Sequence, residues 1–573
     1  MTDTPPDGPT GDAVHAGERF LTSLAEHGVE RVFANFGTDH TPLIEAAARL
    51  RERGEPIPET VTSPHEFAAL SAAHGYAAMT GTAQAVIVHV DVGTQNLGAA
   101  MHNAHRAGAP VFVFSGLAPV TDDPARGGRD NPVHYKQDVF DQPGIVREYC
   151  RWLDEYRAPA DPETTVIRGL ERANAEKQGP VYVSATRESL EAEVPRAEGG
   201  SPGPRDLGPG PADAATVAEI GDAVEAADAP LVVTSDLPTG DDGDDVDSLV
   251  EFAERAGAGV VEFRPVALSF PRTHPLHVGF DPSAMFDVAD LVVVAGADLP
   301  WLPSSGGPDG DATVIQLDAD PSKAHYPHWS FDVDRSVAAD PAGTLALVAD
   351  RLDPNAVDPT ETVWAARHEE RVAEREASVA ADREDERLTA DVVSATLADL
   401  LDDDAVFLEG LVTNAGSALE NVPLDRPASQ LGRGGAGLGW APPAAVGVKL
   451  ARPERDVVAA VGDGSYVFSN PTASAWMAAD AGAPTLTVVY NNRSWNAVKR
   501  ATTRQHPEGR AVAEGVPESQ FRTPLDLSAP ASAAGAFTRR VTAYADLEGT
   551  LREALDATRD GTPAVVDVAL DRH

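Results

Sequence analysis

The sequence predicts an α/β protein made of three doubly wound domains, each with a parallel sheet. The chain of 573 residues is too long for one hydrophobic core, and usual domain sizes suggest about three. Short β-type runs alternate with Ala-rich helical stretches in three successive blocks, which is the pattern of parallel α/β sheets.

The blocks are separated by changes in composition. Block one covers residues 1–195, and a Gly/Pro-rich stretch at 196–213 reads as a linker. Block two covers 214–352, a charged connecting helix follows at 353–388, and block three covers 389–573. The predicted strands are Arg31–Ala34, Ala85–Val90, Pro110–Ser115, Pro180–Ser184, Pro230–Thr234, Gly259–Phe263, Leu291–Ala295, Thr313–Leu317, Ala405–Leu408, Asp456–Val461, Thr485–Tyr490 and Pro563–Ala569.

The charge balance narrows the classes of function. Ninety Asp and Glu oppose forty-five Lys and Arg, a formal net charge of −45, which should repel nucleic acid and anionic membranes. Basic residues are almost all Arg, which together with the acidity indicates a halophilic protein from a salt-rich cytoplasm; a strongly acidic cytosolic protein is the alternative.

Targeting and redox signals are sparse. The N-terminus has no apolar signal region, and no apolar run approaches the roughly 20 residues that span a bilayer. Cys150 is the only cysteine, which excludes a disulfide framework within the chain. We therefore expect a cytoplasmic protein with no membrane partner.

Block three carries the motif with the clearest chemistry. One apolar strand runs into Gly462-Asp463-Gly464-Ser465, and the next runs into Asn491-Asn492. Parallel strands bring both ends to the carboxyl edge of a sheet, where a carboxylate and an amide oxygen suit Mg²⁺. The glycines let backbone N–H groups approach phosphate oxygens. Each turn alone is common, but the pair predicts a metal–diphosphate site.

Together these residues match the GDG–NN signature of thiamine diphosphate enzymes. The span from Gly434 to Arg500 resembles benzoylformate decarboxylase and the acetolactate synthase large subunit. The resemblance implies three domains: pyrimidine-binding, central and diphosphate-binding. It also implies functions for eight residues. The metal ligands are Asp463, Asn492 and the Ser494 carbonyl; Gly462, Gly464 and Ser465 form the diphosphate turn, Leu438 wedges beneath the cofactor, and the Ala436 carbonyl accepts from its aminopyrimidine.

A competing motif overlaps this span. Gly432-x-Gly434-x-x-Gly437 also satisfies the dinucleotide fingerprint, which requires a strand directly before it. The preceding stretch RPASQLGR is a poor strand by composition, so a nicotinamide- or nucleotide-binding protein is the weaker hypothesis.

Block one supplies a candidate acid. Thiamine chemistry needs a buried carboxyl group that shares a proton with the pyrimidine ring. Glu66 begins an Ala-rich helix, where the helix dipole alone would favour an acid. The stretch around it resembles the activating-glutamate motif of the family. In that family the glutamate reaches a cofactor held mainly by a neighbouring subunit, which implies a homodimer or homotetramer.

Further site residues rest on the resemblance. His89 ends a strand and matches the catalytic histidine of benzoylformate decarboxylase, and His274 matches the stretch with its second histidine. Thr38 lies in a loop whose hydroxyl contacts the substrate carboxylate. Gln137 occupies the region of a pocket glutamine in acetolactate synthases.

The reaction implied is cleavage or formation of the C–C bond next to the keto group of a small 2-oxo acid. It would follow either the carboligase course of acetolactate synthases or the aldehyde-releasing course of benzoylformate decarboxylase. A catalytically silent paralogue would typically lack Glu66. Acetolactate synthases also bind FAD in the middle domain, but block two shows no persuasive dinucleotide loop, so thiamine diphosphate and Mg²⁺ are the expected cofactors.

Overall fold

The computed structural model describes residues 13–123, 127–175, 177–195, 203–205, 207–237, 243–523 and 525–571. Contacts between Cα atoms divide the chain into two units. The first unit contains residues 1–77, 82–207 and 435–437, and the second contains 78–81, 208–434 and 438–573. Residues 196–202 and 206 of the predicted linker at 196–213 lie outside the described residues, so its boundaries stay a prediction.

A six-stranded parallel sheet forms the centre of the first unit, with strand order β3-β2-β4-β5-β7-β6. Strands β1 and β8, the first and last strands of this unit in chain order, pair antiparallel in a separate two-stranded sheet. The strands are β1 Ala13–His15, β2 Arg31–Ala34, β3 Glu59–Thr62, β4 Gln84–Val88, β5 Val111–Leu117, β6 Trp152–Glu155, β7 Val181–Thr186 and β8 Glu193–Pro195. The helices are α1 Ala16–Glu26, α2 Thr41–Arg53, α3 Glu66–Thr80, α4 Val90–Asn96, α5 Gly98–Arg106, α6 Val133–Lys136, α7 Pro162–Ala173 and α8 Arg187–Glu191.

The second unit contains two parallel sheets. The central sheet has the order β10-β9-β11-β12-β13. Its strands are β9 Pro230–Thr234, β10 Gly259–Glu262, β11 Leu291–Ala295, β12 Thr313–Asp318 and β13 Arg335–Ala338. The accompanying helices are α9 Ala214–Ala226, α10 Asp244–Ala256 and α11 Pro341–Ala349, and α12 Val363–Glu384 is the charged connecting helix.

The third sheet has the order β15-β14-β16-β17-β19-β18. Its strands are β14 Val406–Gly410, β15 Gln430–Gly432, β16 Val457–Gly462, β17 Leu486–Asn491, β18 Phe537–Val541 and β19 Ala564–Ala569. Its helices are α13 Ala390–Ala398, α14 Ala415–Asn421, α15 Ala441–Ala451, α16 Asp463–Phe468, α17 Pro471–Asp480, α18 Asn496–Gln505, α19 Arg510–Ala513, α20 Ala529–Ser532 and α21 Leu547–Arg559.

The first and third sheets share one topology. If the strands of each are counted from one in chain order, starting at β2 and at β14, both sheets read 2-1-3-4-6-5. Central strands such as β4, β9, β11 and β17 are buried along their whole length, as parallel strands covered on both faces must be. The prediction of three parallel-sheet α/β domains is confirmed.

All twelve predicted strands are present, with each end shifted by two residues or fewer. One expectation was wrong: the stretch RPASQLGR does contain a short strand, β15, because Gln430–Gly432 pairs with β14 at the sheet's edge. The helix that a dinucleotide fingerprint requires does not follow directly, since α15 begins at Ala441. In the described part of the chain, none of the helices is both long and apolar enough to cross a membrane.

Charged groups are also buried inside the second unit. Glu262 at the end of β10 is fully buried and accepts from Arg272 Nε at 3.1 Å and the Ser269 backbone N–H at 2.8 Å. His277 Nε2 lies 3.2 Å from the same carboxylate. Burial would raise the pKa of Glu262, but Arg272 and His277 lower it to about 2. Arg272 also donates to Gln430 Oε1 at 3.0 Å, so this cluster joins the segment that follows β10 to β15.

This cluster yields a stability prediction. Arg272→Met should destabilise the protein by about 3–5 kcal/mol, because it leaves the buried Glu262 charge without its cation. In the wild type burial lowers the pKa of His277 to about 4, and the Arg272 charge contributes to that shift. The measurement is chemical denaturation at high salt.

The matched control is Arg552→Met, which removes an exposed pair with Glu548 (2.8 Å) on α21. Such a pair contributes less than about 0.5 kcal/mol. Equal denaturation midpoints for Arg272→Met and Arg552→Met would contradict the assignment.

Candidate active site

The GDG and NN turns meet at one edge of the third sheet. Strands β16 and β17 pair in parallel with Gly462 opposite Tyr490, so the residues that follow each strand leave the sheet side by side. The Arg493 backbone N–H donates to Asp463 Oδ2 at 2.5 Å, which joins the two turns directly. The sequence-based prediction that these turns lie together therefore agrees with the geometry.

Asp463 is a buried carboxylate held by backbone groups. It is 3% exposed, and its Oδ1 accepts from the Gly464 N–H at 2.7 Å. Burial raises the pKa of Asp463 to about 6, aided by the charge of Asp567, although N–H groups of Gly464, Arg493 and Ser494 oppose the shift. A cation at this carboxylate would compensate the cost of burying its charge.

The two asparagines have different environments. Asn491 is buried, and its Nδ2 donates to Asp567 Oδ1 at 2.8 Å inside the sheet. Asn492 is half-buried, and its Oδ1 accepts from the Ser494 N–H at 3.0 Å. The amide oxygen of Asn492 is thus held at the carboxyl edge of the third sheet, whereas the Asn491 side chain bonds inside the sheet. Of the two asparagines, Asn492 is the better candidate for a metal ligand.

This donor set fits a hard cation bound together with a diphosphate. A carboxylate, an amide oxygen and a backbone carbonyl are oxygen ligands of the kind that Mg²⁺ prefers. Within the described residues, no three His, Cys, Asp or Glu side chains are grouped so as to hold a metal. Phosphate oxygens of a bound diphosphate would supply further ligands to a cation at Asp463 and Asn492.

A cavity of about 380 Å³ opens beside these ligands. Its volume lies in the range of small-molecule sites. Thr413 and Asn414 line it next to Asn492, and so do three cationic residues that the sequence did not single out: Arg493, Lys499 and Arg500. In a chain with so few basic residues, three cations around one cavity favour an anionic ligand. Two acids that also line the cavity, Asp391 and Asp571, oppose this effect.

The glycine-rich stretch packs onto the GDG turn. The Gly439 N–H donates to Ser465 Oγ at 3.0 Å, so that hydroxyl is already bonded. A Cβ at Gly464 would lie 2.6 Å from the Trp495 ring, so only glycine fits. Leu438 is half-buried in this stretch, whereas a Cβ at Gly462 would meet nothing within 4 Å. Ala436 belongs to the first unit, where its N–H donates to His102 Nε2 at 3.0 Å.

Glu66 is buried at the start of α3 in the first unit. It is 8% exposed, and its Oε2 accepts from Asn96 Nδ2 at 3.0 Å. A Cβ on Gly93 would come within 3.2 Å of its Oε1, so the small residue leaves that oxygen room. Both neighbours belong to α4, the helix that directly follows His89. The carboxyl group and the histidine are therefore positioned by the same segment.

His89 is half-exposed at the end of β4 and contacts an acid that sequence reasoning missed. Its Nδ1 lies 2.5 Å from Asp39 Oδ1, and Asp39 is buried. Thr38, exposed on the turn that carries Asp39, and the buried Gln137 belong to the same unit. The hydrogen bond with Asp39 raises the pKa of His89, with a further contribution from Gln137. Only the neighbouring Gly-Thr motif could have directed attention to Asp39.

His274 lies elsewhere, on the segment after β10. Its Nε2 is 3.3 Å from Glu254 Oε1, its Nδ1 accepts from the Leu276 N–H at 3.2 Å, and its ring packs on Phe270. These contacts hold the ring of His274 on the segment that follows β10, and its catalytic function stays a prediction.

The carboxyl edge of the central sheet is occupied by the protein's own groups. Lys323 is buried and bonds to Asp298 and to Asp318 at the end of β12. Tyr326 and Trp329 also donate to Asp298, at 2.7 Å each. These groups bond to one another at the edge where doubly wound sheets bind ligands, and the absence of a flavin stays a prediction.

Comparison with known proteins gives a consistent result. Residues 14–145 match the family described as thiamine pyrophosphate enzyme, N-terminal TPP binding domain, and residues 413–568 match the C-terminal TPP binding domain. The chain is 24% identical to benzoylformate decarboxylase of Pseudomonas aeruginosa, covering 95% of this chain and 97% of that one. It is also 24% identical to IlvX of Mycobacterium tuberculosis, named as an acetolactate synthase large subunit (97% and 99% covered).

A solved structure shares the fold. The thiamine diphosphate-dependent 4-hydroxybenzoylformate decarboxylase of Rhodococcus jostii RHA1 superposes with a TM-score of 0.79 at 22% identity, covering 98% of this chain and 100% of that chain. At this identity the likeness concerns the fold alone.

The metal edge leads to a binding prediction. Asp463→Ala should weaken Mg²⁺-dependent binding of thiamine diphosphate by more than about 100-fold, since even residues behind metal ligands contribute 10- to 100-fold. Isothermal titration at high salt measures the affinity. Asp480→Ala removes an exposed carboxylate at the end of α17 and should leave it unchanged. An unaltered affinity in Asp463→Ala would exclude Asp463 as a ligand.

Proposed function

This chain belongs to the thiamine pyrophosphate enzyme family, and on that basis we propose that it cleaves or forms the C–C bond next to the keto group of a 2-oxo acid. The proposed cofactors are thiamine diphosphate and Mg²⁺. The observation that carries the proposal is Glu66, a buried carboxyl group held by Asn96 in the N-terminal TPP binding domain. A catalytically silent paralogue would typically lack this glutamate.

The anchoring residues hold the cofactor by its charged end. Asp463, Asn492 and the Ser494 carbonyl would bind Mg²⁺, and Gly464 lets the backbone approach the diphosphate. Leu438 would support the bent cofactor and the Ala436 carbonyl its aminopyrimidine. Ser465 would donate its O–H to the diphosphate, because the bond from the Gly439 N–H uses only an acceptor position of the hydroxyl oxygen.

The catalytic residues handle protons. When bound, the thiazolium supplies a nucleophilic carbon and then stores the electron pair released as CO₂ leaves. Glu66 holds a proton at its carboxyl group and exchanges it with the pyrimidine ring. His89 holds a proton at its imidazole, and Thr38 and Gln137 would orient the substrate. His274 is proposed as the second histidine of the catalytic site.

These residues are compatible with two products. The product is an aldehyde if the carbon that loses CO₂ is protonated, and a hydroxyketone if that carbon attacks a second carbonyl compound. The His89–Asp39 pair favours the aldehyde, because it keeps a proton donor beside the segment that positions Glu66. We therefore propose decarboxylation to an aldehyde as the main course and carboligation of the acetolactate synthase type as the alternative.

The working form is proposed to be a cytoplasmic homodimer or homotetramer that operates in high salt. In such an assembly the Glu66 of one subunit would serve the cofactor of its neighbour. The substrate is a small molecule, and no nucleic acid or membrane partner is proposed for a chain with a net charge of −45.

The test of function is incubation of the holoenzyme at high salt with a panel of 2-oxo acids, with and without an acceptor aldehyde. Aldehyde release from at least one acid supports the main proposal, and 2-hydroxy-2-acyl acids support the alternative. Absence of turnover across aliphatic and aromatic acids would overturn both.

Glu66→Gln gives a sharper prediction. The variant should bind the cofactor with wild-type affinity yet lose at least about 100-fold in the rate of deuterium exchange at the cofactor's C2 position, because general acid–base groups contribute 10²–10⁴. Quenched-flow exchange followed by NMR measures the rate. An exchange rate equal to that of the wild type would remove Glu66 from this function.

A further inference from the structure

Asp39 lies directly behind His89 in the first unit. The two side chains meet through Asp39 Oδ1 and His89 Nδ1 at 2.5 Å, and Asp39 is only 2% exposed. Because Nδ1 is committed to the carboxylate, Nε2 is the nitrogen through which this ring can exchange a proton with a substrate. The acid thus selects which end of the imidazole can do chemistry.

Two glycines make the room that this pair requires. A Cβ on Gly37 would overlap the His89 ring, and a Cβ on Gly116 would overlap the Asp39 carboxylate. Both positions are fixed by neighbouring strands, since Gly37 follows β2 and Gly116 lies in β5. The backbone is therefore shaped to accept an acid and an imidazole here.

The same carboxylate holds a strained piece of backbone. Val90 has φ of 31°, which a β-branched residue rarely adopts. Its N–H donates to Asp39 Oδ2 at 3.3 Å, and its carbonyl accepts from Thr94 Oγ1 at 2.6 Å and Ser115 Oγ at 3.1 Å. Strain of this kind persists only where the surroundings hold it, and it concentrates at functional sites.

The other titratable groups near His89 either raise its pKa further or are uncharged near pH 7. Asp91 on α4 adds a second negative charge, and Asp39 lies 3.3 Å from His40 Nε2. Burial lowers the pKa of His40 to about 4, so His40 is neutral near pH 7 and does not repel a charged His89. Burial alone would raise the pKa of Asp39, yet its bond to His89 holds that pKa below the usual range. Asp39 thus stays ionised.

We propose that Asp39 is a positioning residue that keeps His89 protonated and oriented as the donor that ends the reaction by aldehyde release. The step is R–CO–COO⁻ + H⁺ → R–CHO + CO₂. The bond from the keto carbon to the carboxylate breaks, the pair stays with that carbon, and a C–H bond forms with the proton from His89 Nε2. Solvent then returns a proton to the ring. This inference rests on the proposed function.

The test uses Asp39→Asn holoenzyme, because asparagine keeps the shape and an acceptor oxygen but removes the charge. The rate of aldehyde release should fall by about tenfold or more above pH 7, since each unit lost from the pKa of His89 removes tenfold of the protonated ring. The basic limb of the kcat–pH profile should move to lower pH. With an acceptor aldehyde present, the product ratio should shift towards the hydroxyketone.

Two controls separate charge from position. Asp91→Asn removes a nearby charge without touching the His89 hydrogen bond, and it should move the limb less than Asp39→Asn does. His89→Gln and the double variant Asp39→Asn/His89→Gln complete a cycle. If Asp39 acts through His89, the double variant loses no more aldehyde release than His89→Gln alone, whereas additive losses would refute the proposal.

A measurement on the wild-type protein tests the proposal without depending on the folding of any variant. Its aldehyde release should decline along a basic limb with an apparent pKa above the ordinary histidine value of about 6.5. A limb at or below that value, or an Asp39→Asn profile and product ratio like the wild type's, overturns the inference. Deuterium exchange at C2 reports on the proposed function separately, since it depends on Glu66 and should be unchanged in Asp39→Asn.

Discussion

Parallel pairing between β16 and β17 is the constraint on which the site depends. Parallel strands end at the same edge, and the register that sets Gly462 opposite Tyr490 makes the next residues neighbours. The hydrogen bond from the Arg493 N–H to Asp463 Oδ2 then closes the two turns onto each other. A slip of one residue in this register would displace the turn after β16 along the turn after β17 and move Asp463 away from Asn492. The position of the two turns thus depends first on the strand register and only then on individual side chains.

Three buried acids illustrate how the partner decides what a carboxylate does. Glu262 faces an arginine and a histidine, its pKa falls to about 2, and it serves packing. Asp39 faces an imidazole whose pKa rises in return, which is a pair suited to proton transfer. Asp463 accepts from backbone N–H groups, and burial, with the charge of Asp567, raises its pKa to about 6. That last environment leaves a charge to be compensated by a bound cation. In a chain with ninety acids, burial and partners distinguish these few from the solvated majority.

Apolar runs and turn motifs predicted most of the fold and the anchoring half of the site. Strands such as β9 and β11 were predicted because they are buried on both faces and read as continuous apolar runs. Edge strands β6 and β18 were missed, because their half-exposed residues carry no such run. Asp463 and Asn492 stood out since glycine and asparagine turns flank them. Asp39 and Lys499 did not, because their importance comes from contacts with residues far along the chain.

The shared topology of the first and third sheets has a consequence for how this protein can change over generations. In both sheets the third strand is followed directly by a residue of chemical importance, His89 after β4 and Asp463 after β16. One topology thus presents an imidazole after the third strand of the first sheet and a carboxylate after the third strand of the other. If both residues act as proposed, substitutions after β4 would alter the product during evolution while the residues after β16 continue to bind the cofactor.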